Sequence, residues 1–199
     1  MLLQWSAPEY VPRSFLVSGV SGTNKAVKQT DTSFRLTKQV ADGLVDMQEV
    51  SKGLFLVQSE MAFKKETELC EEYPERKVFQ LSFCMNGICE WDYRQKRGEH
   101  YQLSPTQCSL QCGTFSQCVS RFGSEEPYRT LSISLEQERF LPLAEDLEAA
   151  HLIRRDNKIC THIFSTTPEI RLVLQQLLDC PPERKLRKLY LEGKVLELV

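Results

Sequence analysis

Phe79-Gln-Leu-Ser-Phe-Cys-Met-Asn-Gly-Ile-Cys-Glu-Trp-Asp-Tyr93 reads as two extended runs about a turn. Phe79, Leu81, Phe83 and Met85 alternate with Gln80, Ser82 and Cys84, the period of a half-buried strand. Asn86-Gly87 is a hairpin turn signal, and Cys89, Trp91 and Tyr93 resume the alternation beyond it. A two-residue loop would set Phe83 against Glu90. A three-residue loop with a glycine bulge sets Phe83 against Trp91 and Leu81 against Tyr93. Register follows the buried face, so the three-residue loop is expected, with Phe79, Phe83, Trp91 and Tyr93 on one face. That register also argues against a Cys84–Cys89 cross-strand pair.

Outward from this segment the strand signal continues in both directions. Leu44 to Val50 and Leu54 to Val57 flank a Lys52-Gly53 turn. Tyr101 to Leu103 leads to a Ser104-Pro105 turn. Cys108 to Cys112, Gln117 to Phe122 and Arg129 to Leu135 alternate, the last most cleanly. Many short strands with turn signals between them indicate an all-β sandwich or barrel. Residues 1–42 add little: an arm or irregular lead-in with one short apolar patch at Phe15 to Val17, and a weak pattern from Phe34.

After Leu135 the period changes. Residues 136–150 are Glu- and Leu-rich and largely helical, broken by Pro142, and His151 to His162 returns to extended chain. Ser165-Thr-Thr-Pro-Glu169 is a helix start, with a polar cap and proline in the first turn. Ile170, Val173, Leu174, Leu177 and Leu178 form its stripe, and Cys180-Pro-Pro182 ends it. The terminal segment Arg187 to Val199 is a helix with two apolar stripes. Leu186, Leu189, Tyr190, Gly193 and Leu196 form one, and Leu191, Val195, Leu198 and Val199 nearly the opposite one. Two stripes mean packing on two sides. No stop signal follows, so the chain is expected to be a piece of a longer protein, cut at a helix that joins it to a further domain.

Bulk numbers narrow the function. The formal charge of −2 over 199 residues gives no basic footprint for phosphate contacts. No apolar run is long enough to cross a bilayer, and no secretory signal is visible, so a cytoplasmic location without membrane contact is expected. The eight cysteines form no CxxC pair, and Cys108-x3-Cys112-x5-Cys118 is the densest group. A metal or thiol-sensor site there weighs less than small buried residues. GxGxxG, P-loop, GxSxG and HExxH motifs are absent, so no cofactor is implied, and His100, His151 and His162 are scattered. Glu71-Glu72 and Glu125-Glu126 read as solvated loop charges. Glu90 and Asp92 should point away from Trp91. The aromatic set is the best binding signal, because Trp and Tyr carry a polar handle that wants a partner.

Gly53-Leu-Phe-Leu-Val-Gln-Ser-Glu-Met-Ala-Phe63, Phe79 to Gly87 and, most specifically, Arg187-Lys-Leu-Tyr-Leu-Glu-Gly-Lys-Val-Leu-Glu-Leu198 resemble the N-terminal domain of AraC/XylS-family transcription regulators, in the pyochelin-regulator-like branch. The Leu103-Ser-Pro105 turn and the Pro127 to Leu135 strand fit in order. The resemblance implies a mainly β fold with C-terminal α: a cupin-like (jelly-roll) β-barrel sensor with an N-terminal arm over residues 1–164, then an αα-hairpin over 165–199. The family's helix-turn-helix DNA-binding domain has no counterpart in this chain, so DNA would be a partner only through that missing domain. The resemblance further implies a small-molecule effector, siderophore-like in this branch, and a homodimer. Expected ligand contacts are Phe83, Trp91, Tyr93 and Tyr101, and expected dimer contacts are Leu191, Val195 and Leu198. A population shift on effector binding would carry the signal. The chain is expected not to be an enzyme. The alternatives are a cupin-fold isomerase or oxygenase, whose paired histidines and nearby acid are not seen, and a cysteine-based redox sensor.

Overall fold

Alternation and turn chemistry produce a chain dominated by antiparallel strands. The computed structural model describes residues 2–4, 14–17, 33–34, 38, 40–94, 98–136, 139, 142, 158–181 and 186–198. The strands are β1 (Leu2–Gln4), β2 (Ser14–Val17), β3 (Ser33–Phe34), β4 (Ala41–Ser51), β5 (Leu54–Phe63), β6 (Thr67–Asn86), β7 (Cys89–Tyr93), β8 (His100–Leu103), β9 (Gln107–Phe122), β10 (Tyr128–Leu135) and β11 (Cys160–Ser165). Helices α1 (Pro168–Leu178) and α2 (Arg187–Leu196) follow. The helical reading of 136–150 and the extended reading of 151–157 fall mostly outside the described residues.

The strands run β3-β4-β5-β10-β6-β9-β7-β8, with β2 also on β6 and β11 on β9. This is a cupin-like β fold capped by two C-terminal helices. The segments 108–112 and 117–122, read as separate strands, form one 16-residue strand, β9. Its first half pairs with the second half of β6 and with β11, and its second half pairs with the first half of β6 and with β7.

The expected hairpin across Asn86-Gly87 does not form. β6 pairs instead with β10, with Phe83 opposite Leu131 and Leu81 opposite Ile133. β7 pairs instead with β8 and β9, with Trp91 opposite Tyr101. Asn86-Gly87 is a corner between two parts of the sheet. Gly87 has φ 72°, and a Cβ there would lie 3.0 Å from the Pro127 carbonyl oxygen. Asn86 Nδ2 donates to that same oxygen at 2.6 Å. The corner is therefore held by the start of β10 rather than by a facing strand. A turn dipeptide does not say which neighbour each arm will take, and long partners on both sides offer more ladder bonds than one short hairpin.

Two cores result. Leu54, Leu56, Phe79, Phe83, Leu110, Leu131, Ile133 and Leu135 meet Leu174, Leu177, Leu191 and Val195 between sheet and helices. Val45, Met61, Phe63, Leu69, Trp91, Tyr93, Leu103 and Phe122 fill the other face, the barrel interior. Thr167 caps α1 by accepting from the Ile170 amide at 3.3 Å, with Pro168 at the first position, as the sequence indicates. The stripe of α1 seats on the sheet.

Candidate functional site

The barrel interior gathers the polar and aromatic side chains that have no role in the sheet–helix core. Its aromatic end comes from β7 and β8. Trp91 stacks on Tyr101 with ring centroids 5.5 Å apart, and Tyr93 meets Tyr101 edge-on at 5.8 Å. Trp91 is 4% exposed. Its Nε1 is buried and makes no well-aligned hydrogen bond among the described residues, with only the Tyr93 side chain as an interaction partner. A buried N–H with no acceptor at all costs about 1–3 kcal/mol, so a better-placed acceptor than the Tyr93 hydroxyl would be favoured here. Tyr93 is fully enclosed, and its hydroxyl accepts from Thr161 Oγ1 at 3.4 Å. Burial, with the Cys118 thiol beside it, pushes the Tyr93 phenol far up, so it stays a neutral hydroxyl.

A polar row lines the rest of this face. On β10 the alternation sends Leu131, Ile133 and Leu135 to the helices and Thr130, Ser132 and Ser134 inward with Tyr128. On β6 it sends Gln80, Ser82 and Cys84 inward. Ser132 Oγ donates to Ser82 Oγ at 2.9 Å, and Gln80 Nε2 to the same oxygen at 3.0 Å. Ser109, opposite Ser82, accepts from Gln111 Nε2 at 3.4 Å. These buried side chains are small and polar, unlike the large apolar ones that fill the rest of this face. The sequence offered a sign of them, since the polar positions of β10 (Thr130, Ser132, Ser134) and of this part of β6 (Gln80, Ser82) are uncharged.

Glu71 is a correction. Read as a solvated loop charge, it lies within β6, opposite Cys118, which is in turn opposite Tyr93. Burial first, and the Glu71 carboxylate second, push the Cys89 and Cys118 thiols well up, so both stay protonated. Glu125 and Glu126 are exposed loop residues as expected. Glu90 and Asp92 do face outward. Arg121 spans Glu68, at 2.9 Å, and Asp92, while His100 Nδ1 meets Asp92 at 2.9 Å. Burial alone would raise Asp92, but the bonds from Arg121 and His100 outweigh it and hold the carboxyl low.

Of the four expected ligand contacts, Trp91, Tyr93 and Tyr101 come together in the interior. Phe83 does not join them. It is 1% exposed in the sheet–helix core, because β6 sends its odd-numbered residues to that side here. The terminal helix also differs from expectation. Leu191 and Val195, assigned to a partner, are 0% exposed and pack on this chain's own sheet, with Leu198 partly buried beside them. Of the opposite stripe, Tyr190 packs partly on the same core, while Leu189 and Leu196 face out, 64% and 58% exposed. Both stripes are apolar, so periodicity could not say which one the barrel would take. Arg139 fixes the docking by bonding Ser51 Oγ at 2.6 Å and Glu192 at 3.2 Å.

Among the described residues no three His, Cys, Asp or Glu side chains are grouped to hold a metal ion, and no helix is long and apolar enough to cross a membrane.

The family described as the regulatory protein PchR N-terminal domain matches residues 42–199. No curated protein sequence matches significantly. Among solved structures, the AraC-like transcriptional activator CuxR superposes with a TM-score of 0.53 at 8% identity, over 79% of this chain and 55% of that one. Apo ToxT K231A from Vibrio cholerae strain SCE256 gives 0.52 at 11% identity, over 76% and 56%. At these identities the likeness is one of fold, and this chain spans little more than half the length of either protein.

Proposed function

The chain belongs to the regulatory protein PchR N-terminal domain family, within the AraC-like transcription regulators, and on that premise we propose that it is the effector-sensing and dimerising half of a cytoplasmic DNA-binding regulator. In this reading residues 1–164 are the sensor and 165–199 the dimerising hairpin, and DNA contacts belong to a separate domain. What supports the sensing role is the buried Trp91 Nε1, which has no well-aligned acceptor and only the Tyr93 side chain as an interaction partner, beside Tyr101 and on the same interior as the Ser82–Ser132 hydroxyls. Such a face suits a planar effector with hydrogen-bond acceptors. The ring would stack on the aromatic end, and an acceptor would take the indole proton. A siderophore-like molecule has that chemistry.

Dimerisation is assigned to the outward stripe of α2, Leu189, Gly193 and Leu196, rather than to Leu191 and Val195. Effector in the barrel would then act on the helices through the sheet between them, shifting the balance of two arrangements by its differential affinity.

Trp5→Phe leaves Trp91 as the sole indole, so its emission can be titrated with a panel of iron-loaded siderophores. Saturable quenching is expected. Trp91→Phe keeps the ring but loses one hydrogen bond, which should weaken binding about 5- to 10-fold, measured by calorimetry. In the full-length regulator, inducer response that is unchanged by Trp91→Phe together with Ser82→Val would sink the interior site.

A further inference from the structure

Strands β9 and β11 set two cysteines directly against each other. Cys160 is the register partner of Cys112. Opposed residues of an antiparallel pair project to one face, with Cα atoms about 4.5 or 5.5 Å apart. Both separations lie inside the roughly 4.4–6.8 Å window that disulfides occupy. Both residues are buried thiols. Among the described residues they are the only two cysteines set directly opposite each other across strands.

The register is pinned at both ends. The Thr166 amide donates to the Thr106 carbonyl at 2.8 Å. At the other end Gly113, with φ 129°, lets the incoming chain pass against it. A Cβ there would lie 2.5 Å from the Lys158 carbonyl oxygen and 2.6 Å from Ile159 Cα. The pair therefore cannot slip apart along the ladder. The same face of β11 carries His162, opposite Leu110, and its Nε2 is buried without a hydrogen-bond partner among the described residues. A neutral imidazole can take the proton a thiol must lose to become a nucleophile.

We propose that Cys112 and Cys160 are an oxidisable dithiol that closes β9 to β11 with a reversible disulfide. The oxidant is a hydroperoxide. The Cys160 thiolate attacks its O–O bond, giving a sulfenic acid and, for hydrogen peroxide, one water. The Cys112 thiolate then displaces the sulfenic oxygen, which leaves as a second water. Two thiols lose two electrons and two protons, and peroxide becomes two waters. A small dithiol reverses the change by exchange. Cys160 is the first to react because β11 pairs with no described strand other than β9. β11 runs through Thr166 and Thr167 directly into α1, so the bond ties the start of the helical layer to the sheet. The site is independent of the effector reading.

The test uses the whole reduced chain, treated with a small molar excess of hydrogen peroxide, alkylated with N-ethylmaleimide and digested without reductant. The eight thiols should fall by two to six, with a 112–160 linked peptide in the mass spectrum, and dithiothreitol should restore all eight. Cys160→Ser should keep its seven remaining thiols, and Cys108→Ser should still lose two. If Cys112→Ser fails to fold, Cys160→Ser at the sheet edge decides alone. A link between other cysteines, loss of two thiols in Cys160→Ser, or eight thiols persisting until methionine oxidises would overturn the proposal.

Discussion

Replacing Leu191 and Leu189 in turn separates the two faces of α2. Leu191 is 0% exposed and packs among Leu174, Leu177 and the sheet residues beneath. Burying such a side chain contributes about 1.5–3 kcal/mol by area. Truncation also leaves a cavity, because Leu131 and Ile133, both 0% exposed, are held in the sheet ladder. Leu191→Ala should therefore cost about 3 kcal/mol, within the usual range of roughly 2–5. For a chain of this size that lowers the melting midpoint by about 6–12 °C. Leu189, 64% exposed, should cost within about 0.5 kcal/mol when truncated in dilute protein. Calorimetry at low concentration reads both values. Light scattering at high concentration reads the other half of the reasoning: Leu189→Glu should lower the mass from dimer to monomer without changing the dilute midpoint. Destabilisation of dilute protein by Leu189→Ala as large as that by Leu191→Ala would refute this division of the helix. So would a normally stable monomer from Leu191→Glu, the outcome expected had that stripe faced a partner.

Three further outcomes follow from named contacts. Gly113→Ala puts a methyl against the Lys158 carbonyl oxygen at 2.5 Å in a left-handed conformation, so hydrogen exchange should show β11 released and stability lower by about 1–3 kcal/mol. Asp92 is held low by Arg121 and His100, so its contribution is present above the unfolded carboxylate value of about 3.9 and is lost as acid protonates it. Asp92→Asn should flatten that acid limb by no more than about 1 kcal/mol, the scale of surface pairs, in pH-resolved denaturation. Burial, offset in part by the Asn86 backbone, raises the Cys84 thiol to about 11. Its contribution is whole below the unfolded thiol value and declines as pH rises toward 11. Iodoacetamide at pH 8 should accordingly label Cys84 far more slowly than an unfolded control.

Local signals were legible where one interaction decides the outcome. The cap at Thr167, the proline at 168 and the alternation of Arg129 to Leu135 gave α1 and β10 without ambiguity. They did not reveal partners. Asn86-Gly87 has the chemistry of a hairpin, yet its neighbour is Pro127, 41 residues on. That contact depends on where β10 returns. The error carried Phe83 to the wrong face, since a strand's two faces differ by one residue of register. Trp91, Tyr93 and Tyr101 survived it because β8 follows β7 closely and pairs with it. Glu71 was missed because a carboxylate beside a turn-like sequence is ordinarily solvated. Its place in a row with Cys118 and Tyr93 depends on how the first half of β6 pairs with β9, a long-range contact that local sequence does not show.

Strand β9 behaves as a beam shared by two rooms. From Cys118 to Phe122 it is a wall of the aromatic interior, and from Cys108 to Cys112 it is the floor on which the helical layer rests. Its side chains change sides between those stretches, around Gly113. A tilt of the beam about that pivot therefore lifts under one room as it presses into the other. Neither end can slide alone, because the register with β6 is fixed along both halves. On the effector reading proposed above, an occupant of the interior would reach the helices through this one strand as a change of slope.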